Sequence, residues 1–281
     1  MDLTNYLHYL AYAAVYFLLI LLLEFILNRM TRRQYAASEA IAAGNHAIAL
    51  RRAGAQLGLA IGMLGVLSGE AGGDFLDDLA LSAGYGALAA AFMLLSLQVT
   101  DRLLLPGVDN TKELRDGNLA VGVLEFGALL MTGIIAYASV KGDDGGVWSS
   151  LIYFAAGQAS MVLLILAYEK LTPRIDLVNR IQQGELACGI YLAAKAIAYG
   201  LILQSAIVSS GGGDFLDNAQ QFLFVALAGV VMLAVFEFLA DKLVVTGATV
   251  AELLDENRVA ASLQLASVKI GVALVLGLVI L

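Results

Sequence analysis

Long apolar stretches are the feature that most constrains how this chain can fold. Eight of them run through the 281 residues, and each spans about 20 or more mostly apolar positions. A stretch of that length can cross the hydrocarbon core of a bilayer as a helix, in which every backbone polar group is satisfied internally. The sequence therefore predicts an all-α polytopic membrane protein with eight transmembrane helices. Their predicted bounds are 6–27, 42–68, 78–104, 118–140, 148–170, 186–209, 219–245 and 258–281.

The composition agrees with a membrane protein. Hydrophobic residues make up 60% of the chain and charged residues 14%, whereas an average soluble domain is about 45–50% apolar and about 25% charged. The first apolar stretch lacks the positive segment of a signal peptide and is too long for a signal sequence. We therefore expect it to remain in the protein as the first span.

Several function classes lack their sequence signatures. Cys188 is the single cysteine and His8 and His46 are the only histidines, so neither an intrachain disulfide nor a zinc cluster is expected. The net charge of −8, with 16 Lys and Arg residues, gives no basic surface for nucleic acid. The motifs of nucleotide-binding, hydrolase and metalloprotease sites are absent from the sequence. We therefore expect no enzyme activity, no cofactor, no metal and no nucleic-acid partner.

A helix-start motif recurs along the chain. The dipeptide Gly44-Asn45 returns as Gly117-Asn118, with matching small residues around it at the same offset. The distance between the two copies predicts a repeating unit of one helical hairpin.

A second, longer repeat contains the first. The hexapeptide GGDFLD at 72–77 returns at 212–217, so the interval between its copies is about half of the chain. We therefore predict two tandem membrane repeats, 1–143 and 144–281, each built from two hairpins. Because each repeat holds an even number of helices, the four hairpins share one orientation. They could surround a central path or pack as a solid bundle.

The basic residues of the connecting segments predict the orientation. The connections from odd to even spans hold eleven Lys and Arg residues, whereas those from even to odd spans hold only Lys141 and several acidic residues. Short cytoplasmic loops are enriched in Lys and Arg. We therefore predict that the odd-to-even connections face the cytoplasm and that both termini lie outside it.

The duplicated hairpins resemble the YjfL-like bacterial inner-membrane family, the domain of unknown function 350, as two tandem copies. The residues that carry the likeness are Gly44-Asn45-His46-Ala47, Gly117-Asn118-Leu119-Ala120, and Gly54, Gly58 and Gly62. The resemblance implies a location in the bacterial inner membrane and an association with PspA-type membrane-stress systems, but it supplies no reaction. The second copy departs from the motif, since Glu185 follows Gly184 and Glu256 precedes Asn257.

Ionisable residues within the predicted spans are the candidate functional residues, because each costs roughly 2.5–3.5 kcal/mol at a helix centre. The repeat offsets place Glu125, Lys195 and Lys269 on the same helix face as Arg52, while the two glutamates of the odd spans share another register. The sequence therefore predicts one intramembrane charge cluster near the pseudo-symmetry axis. Its members are Glu24, Arg51, Arg52, Glu125, Lys195, Glu237 and Lys269.

Two hypotheses explain such a cluster. In the first, the charges line a path for an ion or a small solute. In the second, they form buried ion pairs that fix the helix register, and Arg51 and Arg52 reach back to the cytoplasmic headgroups.

Two polar motifs flank the spans. Asn45 and Asn118 suit N-caps or close helix contacts, and a helix N-terminus beside the arginine pair could alternatively bind an anion. The outer acidic loops either attract cations or cap the next helix. Their residues are Asp74, Asp77, Asp214 and Asp217.

We expect a channel or transporter that moves an ion or small solute past the charge cluster. The alternative is a non-transporting membrane scaffold whose short cytoplasmic turns recruit a PspA-like envelope-stress partner. Besides the lipid bilayer, a second copy of the chain is a candidate partner, because the ladder of Gly54, Gly58 and Gly62 lets helices approach closely within or between chains.

Overall fold

The computed structural model describes residues 3–68, 74–105, 107–141, 146–171, 176–244 and 247–280. In these residues the chain is all-α, and a π-helical turn at Thr100–Leu104 continues α4. The helices are α1 Leu3–Thr31, α2 Ala37–Ala42, α3 His46–Leu67, α4 Phe75–Val99, α5 Asn110–Arg115, α6 Leu119–Val140, α7 Gly146–Leu171, α8 Leu177–Gln182, α9 Leu186–Ser209, α10 Phe215–Val244, α11 Val250–Asp255 and α12 Val259–Ile280.

The long helices make this an all-α polytopic membrane protein. Among the described residues, seven helical segments are long and apolar enough to cross a membrane. The other long helix, α3, has 22 residues but carries Arg51 and Arg52 in its second turn. The sequence-based prediction of a polytopic helical protein is confirmed, with seven candidate spans where the apolar stretches predict eight.

Short helices interrupt the pattern that the sequence predicts. α2, α5, α8 and α11 have six residues each and come immediately before a long helix. The predicted span 42–68 is therefore corrected: α2 ends at Ala42, and α3 begins at His46. Gly44 between them has φ +92°, and Gly117 has φ +85° at the same place before α6. Because L residues rarely adopt such angles, a glycine at these positions separates the two helices without strain.

The long helices form two layers. The first layer, here called the row, contains α3, α6, α9 and α12, which contact one another in that order. The second layer, the cover helices α1, α4, α7 and α10, packs over the row: α4 contacts α3 and α6, α7 contacts α6 and α9, and α10 contacts α9 and α12. The four hairpins therefore do not surround a central axis in the described part of the chain.

The row helices pack in one register that small residues permit. Positions are equivalent when they lie equally far from the starts of their helices, such as His46 in α3 and Leu119 in α6. Gly58 packs against Gly133 between α3 and α6, and at the equivalent positions Met131 packs against Gly200 between α6 and α9. A Cβ added at Gly58 would lie 2.5 Å from the carbonyl oxygen of Leu129. Helices in a membrane gain their association energy from such close packing.

Candidate functional site: two buried charge networks

The structure gathers the seven predicted charges into two separate networks. The first lies among α1, α3 and α6, and the second lies among α9, α10 and α12. The prediction of one cluster at a central axis is therefore wrong. The physical reason is the row: charges at similar depth on successive row helices lie side by side, and each pairs with its nearest neighbour instead of meeting the others.

The first network begins where α1 crosses α3. Glu24 of α1 accepts hydrogen bonds from Arg52 Nη1 at 2.8 Å and from Gln56 Nε2 at 3.0 Å. Arg52 also donates to the hydroxyl of Thr31 at 3.4 Å. The Arg52 side chain is 5% exposed and the Glu24 side chain 25% exposed, so this ion pair is only partly shielded from its surroundings.

The deeper part of the first network joins α3 to α6. Arg51 Nε lies 3.1 Å from Oε2 of Glu125, and the Glu125 side chain is 0% exposed. Asp101, in the π-helical turn, accepts a hydrogen bond from Asn110 at 2.8 Å and acts electrostatically on both Arg51 and Glu125. The first network therefore contains three carboxylates and two arginines when Glu24 and Arg52 are included.

Several buried polar atoms of this first network lack a hydrogen bond among the described residues. Most buried polar atoms in proteins are hydrogen-bonded, and leaving one unpaired costs about 1–3 kcal/mol. Unpaired polar groups that converge in this way can accept a small polar ligand or exchange a proton. The atoms are Tyr35 Oη, Arg51 Nη1, Asn110 Oδ1 and both carboxylate oxygens of Glu125.

Tyr35 lies at the end of the first network, between α1 and α2. Burial raises the pKa of its phenol above the ordinary value, and the positive charges of Arg51 and Arg52 oppose that rise. The phenol is therefore protonated at neutral pH and can donate a hydrogen bond towards the network.

A cavity lies above the first network, at the end of the bundle opposite the short helices. Its volume is about 720 Å³, and α1, α3 and α4 form most of its wall. Tyr16 lines it and donates a hydrogen bond, at 3.4 Å, to the backbone carbonyl oxygen of Gln56, whose side chain binds Glu24. Polar groups therefore connect this cavity with the network below. The other polar lining residues are Tyr9, Tyr12, Asp78, Ser82 and Tyr85.

The second network is compact. Lys195 Nζ donates to Glu237 Oε2 at 2.7 Å, and Lys269 Nζ lies 3.7 Å from the same oxygen and 3.4 Å from Asp241 Oδ1. Two ammonium groups thus face two carboxylates. The Nζ of Lys195 lies 4.1 Å from the ring centre of Tyr168, a distance at which a desolvated cation–π contact is favourable.

Aromatic rings enclose this second network further. The ring centre of Tyr199 lies 5.4 Å from Lys195 Nζ, and that of Tyr191 lies 5.0 Å from Lys269 Nζ. Tyr168 donates a hydrogen bond to the Tyr191 hydroxyl at 2.9 Å. The side chains of Lys195, Lys269 and Glu237 are each at most 8% exposed. Balanced charge and an aromatic wall favour a fixed structural arrangement.

The Gly-Asn motif links neighbouring repeat units. Asn45 accepts a hydrogen bond from Ile48 N at its own helix start, and its amide donates to the carbonyl oxygens of Leu114 and Arg115 at the end of α5. Asn118 caps α6 in the same way and donates to the carbonyl oxygens of Ile181 and Gln182 at the end of α8. Each asparagine therefore ties one unit to the next.

The second half uses different side chains at these turns. Glu185 stands at the helix start of α9 and binds Arg180 at 3.0 Å. Arg180 also donates to the carbonyl oxygen of Leu254 at 3.4 Å and pairs with Asp255 at 2.6 Å. Asn257 of the fourth unit accepts a hydrogen bond from Ala187 N of the third, and its φ is +48°. The third and fourth units are thus linked by an ion pair and by an asparagine that accepts from the preceding unit, where the earlier units use an asparagine that donates to the next.

The acidic loop residues lie at the ends of cover helices and are exposed. Asp214 accepts from Leu216 N and Asp217 N at 3.0 Å, so it caps α10. Asp74 stands at the equivalent place before α4, but its side chain makes no cap hydrogen bond, and Asp77 lies in the first turn. The two glycines that precede Asp74 lie outside the described residues. No group of metal-ligating side chains occurs among the residues that were described.

The sequence contained a signal for some network members that were not predicted. Asp101 and Asp241 are separated by the same interval as the two copies of GGDFLD, and each joins the network of its own half. Gln56 could have been included from the repeat offset of Lys269. Tyr35 lies between α1 and α2, and Asn110 begins the short helix α5; the path of both segments is set by the fold, so no sequence pattern indicates these two residues.

The geometry defines a class: a helical membrane protein made of tandem hairpin repeats, with one buried charge network in each half. Residues 1–140 and 144–280 each match the DUF350 family, described as a Domain of Unknown Function. The chain therefore belongs to the DUF350 family and contains two tandem copies, which confirms the resemblance in the sequence. It is 24% identical over 238 residues to a UPF0719 transmembrane protein of Aquifex aeolicus (strain VF5), covering 82% of this chain and 84% of that protein. No solved structure matches the chain.

Proposed function

We propose that the first network conducts protons between the cavity and the short-helix end of the bundle. The observation that carries the proposal is a series of polar contacts: Tyr16 donates to the backbone carbonyl oxygen of Gln56, the Gln56 side chain donates to Glu24, and Glu24 pairs with Arg52. The buried Glu125, which forms an ion pair with Arg51 but accepts no hydrogen bond among the described residues, continues it beyond the arginines. Carboxylates within a membrane protein commonly mark proton or ion paths.

The packing favours protons over larger ions. The row helices approach so closely that glycine backbones touch, which leaves no wide pore between them. Protons can move along hydrogen-bonded side chains and single waters, whereas a hydrated metal ion needs an open passage.

This proposal includes an orientation and a location. All eight long helices would span the bacterial inner membrane as four like-oriented hairpins, with α3 held in place by its ion pairs. The short helices would face the cytoplasm and both termini the outside, as the basic residues of those connections favour. The cavity would then open outward. The role would be transport without catalysis.

A liposome assay tests proton conduction. Purified protein is reconstituted with a pH-sensitive dye inside, and a potassium diffusion potential drives proton entry. We expect acidification with the natural chain and a loss of roughly tenfold or more with Gln56→Leu, because that change removes a hydrogen bond to a charged group. The matched control is Gln98→Leu, since Gln98 is exposed on α4 outside the network. Wild-type rates equal to protein-free liposomes would contradict the proposal.

A second candidate is the scaffold that recruits a PspA-like partner. The observation in its favour is a groove of about 470 Å³ at the short-helix end, lined by Asn45, His46, Arg115 and Asp116 among others. Charged side chains at this groove are exposed and available to a partner. If Arg115→Glu abolishes capture of a cytoplasmic protein while proton flux is absent in every variant, the scaffold is favoured over the proton path.

A further inference from the structure

The three interfaces within the row use one register. Gly58 meets Gly133, and Met131 meets Gly200, at equivalent positions of two successive interfaces. Ala198 and Ala273 hold these positions in the third interface, and both are 0% exposed. The same type of interface thus occurs three times between successive row helices. In each case at least one of the two helices carries a small residue at the contact.

A second pair of positions shows the same register. Gly65 of α3 packs against the backbone of Tyr137 in α6. At the equivalent positions of the third interface, Ser205 of α9 donates a hydrogen bond to the Gly277 carbonyl oxygen of α12 at 2.7 Å. The interface between the last two row helices is therefore a true repeat of the first.

The last row helix presents this interface again without a partner. The four positions that correspond to Gly54, Gly58, Gly62 and Gly65 of α3 are all exposed on α12. A Cβ added at Gly271, the equivalent of Gly58, would meet nothing within 4 Å. The four residues on α12 are Ser267, Gly271, Val275 and Leu278.

The first row helix has the complementary face open. Ala60 and Leu64 of α3 correspond to Gly133 and Tyr137, the residues of α6 that receive the preceding helix. Both line the large cavity, and Leu64 is 56% exposed. The cavity therefore borders the face against which a preceding row helix would pack.

We propose that α12 of one copy packs against α3 of a second copy, so that the row continues head to tail from one chain to the next. Gly271 of one copy would then meet Ala60 of the other, in the register of Gly58 and Gly133. α1 would cover the new interface as α4, α7 and α10 cover the three internal ones. The partner is a second copy of this chain because the two open faces are the two halves of its own repeated interface.

The hydrogen bonds that join successive hairpin units at the short-helix end have free counterparts in the first and the last unit. Within the chain, side chains of one unit donate to the carbonyl oxygens of residues 114 and 115, 181 and 182, and 254 of the next unit. In the first unit the equivalent carbonyls belong to Ile41 and Ala42, and both residues are exposed. In the last unit the position equivalent to Asn45 and Asn118 is Arg258, which is also exposed. A head-to-tail neighbour would bring this arginine, a hydrogen-bond donor, to those carbonyls.

Head-to-tail contacts use two different surfaces, so the assembly either closes into a ring or grows as an open row. In both cases the neighbour's α12 would form a further wall of the cavity. The proposal does not depend on proton conduction, since the contact is set by packing alone.

Cysteine cross-linking tests the contact directly. Cys188 is the single cysteine and is buried, so Cys188→Ala gives a clean background. The pair Ala60→Cys and Gly271→Cys is introduced into one chain and oxidised in native membranes. We expect a ladder of dimers and larger species, because a disulfide forms when Cβ atoms lie about 3.5–4.5 Å apart. The matched control pair is Gly84→Cys and Gly271→Cys, since Gly84 is an exposed helical glycine with open space around its Cβ.

The two single-cysteine variants distinguish a head-to-tail contact from a symmetric one. Ala60→Cys alone and Gly271→Cys alone should remain monomeric, because a head-to-tail contact brings unlike positions together. Dimers from Gly271→Cys alone would overturn the proposal in favour of a symmetric contact. Absence of cross-links from the pair would overturn it in favour of lipid on this face.

A variant that folds but cannot assemble gives a second readout. Gly271→Leu adds a side chain to open space, so the monomer should fold, whereas packing against Ala60 would be blocked. We expect native mass spectrometry from nanodiscs to show monomers for Gly271→Leu and oligomers for Gly84→Leu. Equal oligomer content in both variants would contradict the proposed interface.

Discussion

The two halves of the molecule each bury one charge network, and the networks differ in how completely they are satisfied. In the first half, two arginines pair with two carboxylates, Asp101 binds Asn110, and polar atoms of Arg51, Glu125 and Asn110 lack hydrogen bonds among the described residues. In the second half, two lysines meet two carboxylates and are enclosed by tyrosine rings, and Glu237 Oε1 is the buried atom of this network that lacks a hydrogen bond among the described residues. We propose that the more completely satisfied network is structural and that the less satisfied one, next to the cavity, exchanges protons.

This difference shows that repeated helices do not imply repeated buried chemistry. The same backbone unit holds lysine–carboxylate pairs among tyrosine rings in one half and arginine–carboxylate pairs with several unsatisfied polar atoms in the other. Burial alone does not separate the two, since Glu125 and Lys269 are both at most 1% exposed. The two networks differ instead in how many hydrogen-bond and ion-pair partners each charged group has.

The largest expected effect is on stability in the second half. Glu237→Gln removes the negative charge that lies 2.7 Å from Lys195 and leaves Asp241 as the carboxylate beside Lys269. Breaking a buried pair in this way costs about 3–5 kcal/mol, because an uncompensated charge remains buried. Unfolding in mixed micelles measures the change. The double variant Glu237→Gln with Lys195→Met should recover part of the loss, and a loss below about 1 kcal/mol for the single variant would show that this network is not structural.

An intermediate effect is expected at the interfaces of the row. The first half pairs Gly58 with Gly133, whereas the equivalent positions of the second half are Ala198 and Ala273, which are both fully buried. Gly58→Ala places a Cβ 2.5 Å from the Leu129 carbonyl oxygen, and such overpacking costs about 1–3 kcal/mol. Gly271→Ala serves as the control for the exposed position and should leave the unfolding free energy of the monomer unchanged or slightly higher. Equal effects at both glycines would mean that close packing of the first half does not matter.

The smallest effect separates the acidic loops of the two halves. Asp214 caps α10 through two backbone N–H groups, whereas Asp74 makes no cap hydrogen bond at α4. Loss of a cap costs about 1 kcal/mol, so Asp214→Ala should destabilise by about that amount. Asp74→Ala should change stability by less than about 0.5 kcal/mol, as for an ordinary surface substitution. Thermal unfolding of the two variants, measured side by side, checks which of them loses more stability. A larger loss of stability in Asp74→Ala than in Asp214→Ala would contradict this prediction.

Much of the architecture could be predicted because the sequence repeats. The recurrence of the Gly-Asn dipeptide indicates hairpin units, the recurrence of GGDFLD indicates two halves, and apolar length predicts membrane helices. The short helices were missed because a six-residue helix such as Ala37–Ala42 has no period of its own within an apolar stretch. Gly44 marked the break, but a glycine in a span indicates close packing as often as it indicates a turn.

The charge networks were only partly predictable for a different reason. The offsets place Arg52, Glu125, Lys195 and Lys269 correctly at similar depth, but depth does not say which helices are neighbours. In the row arrangement, Arg51 pairs with Glu125 on α6, whereas Arg52, the next residue, pairs with Glu24 on α1. Adjacent residues point about 100° apart on a helix, so the partner of each is decided by the packing of layers.

The most direct test of the difference between the halves is the proton flux per folded molecule of Glu237→Gln, measured beside Gln56→Leu in the same liposome assay. If the first network conducts and the second is structural, Glu237→Gln lowers the folded fraction but keeps the flux of each folded molecule, whereas Gln56→Leu stays folded and loses flux roughly tenfold or more. Loss of flux per folded molecule in Glu237→Gln, with Gln56→Leu unaffected, would contradict the account.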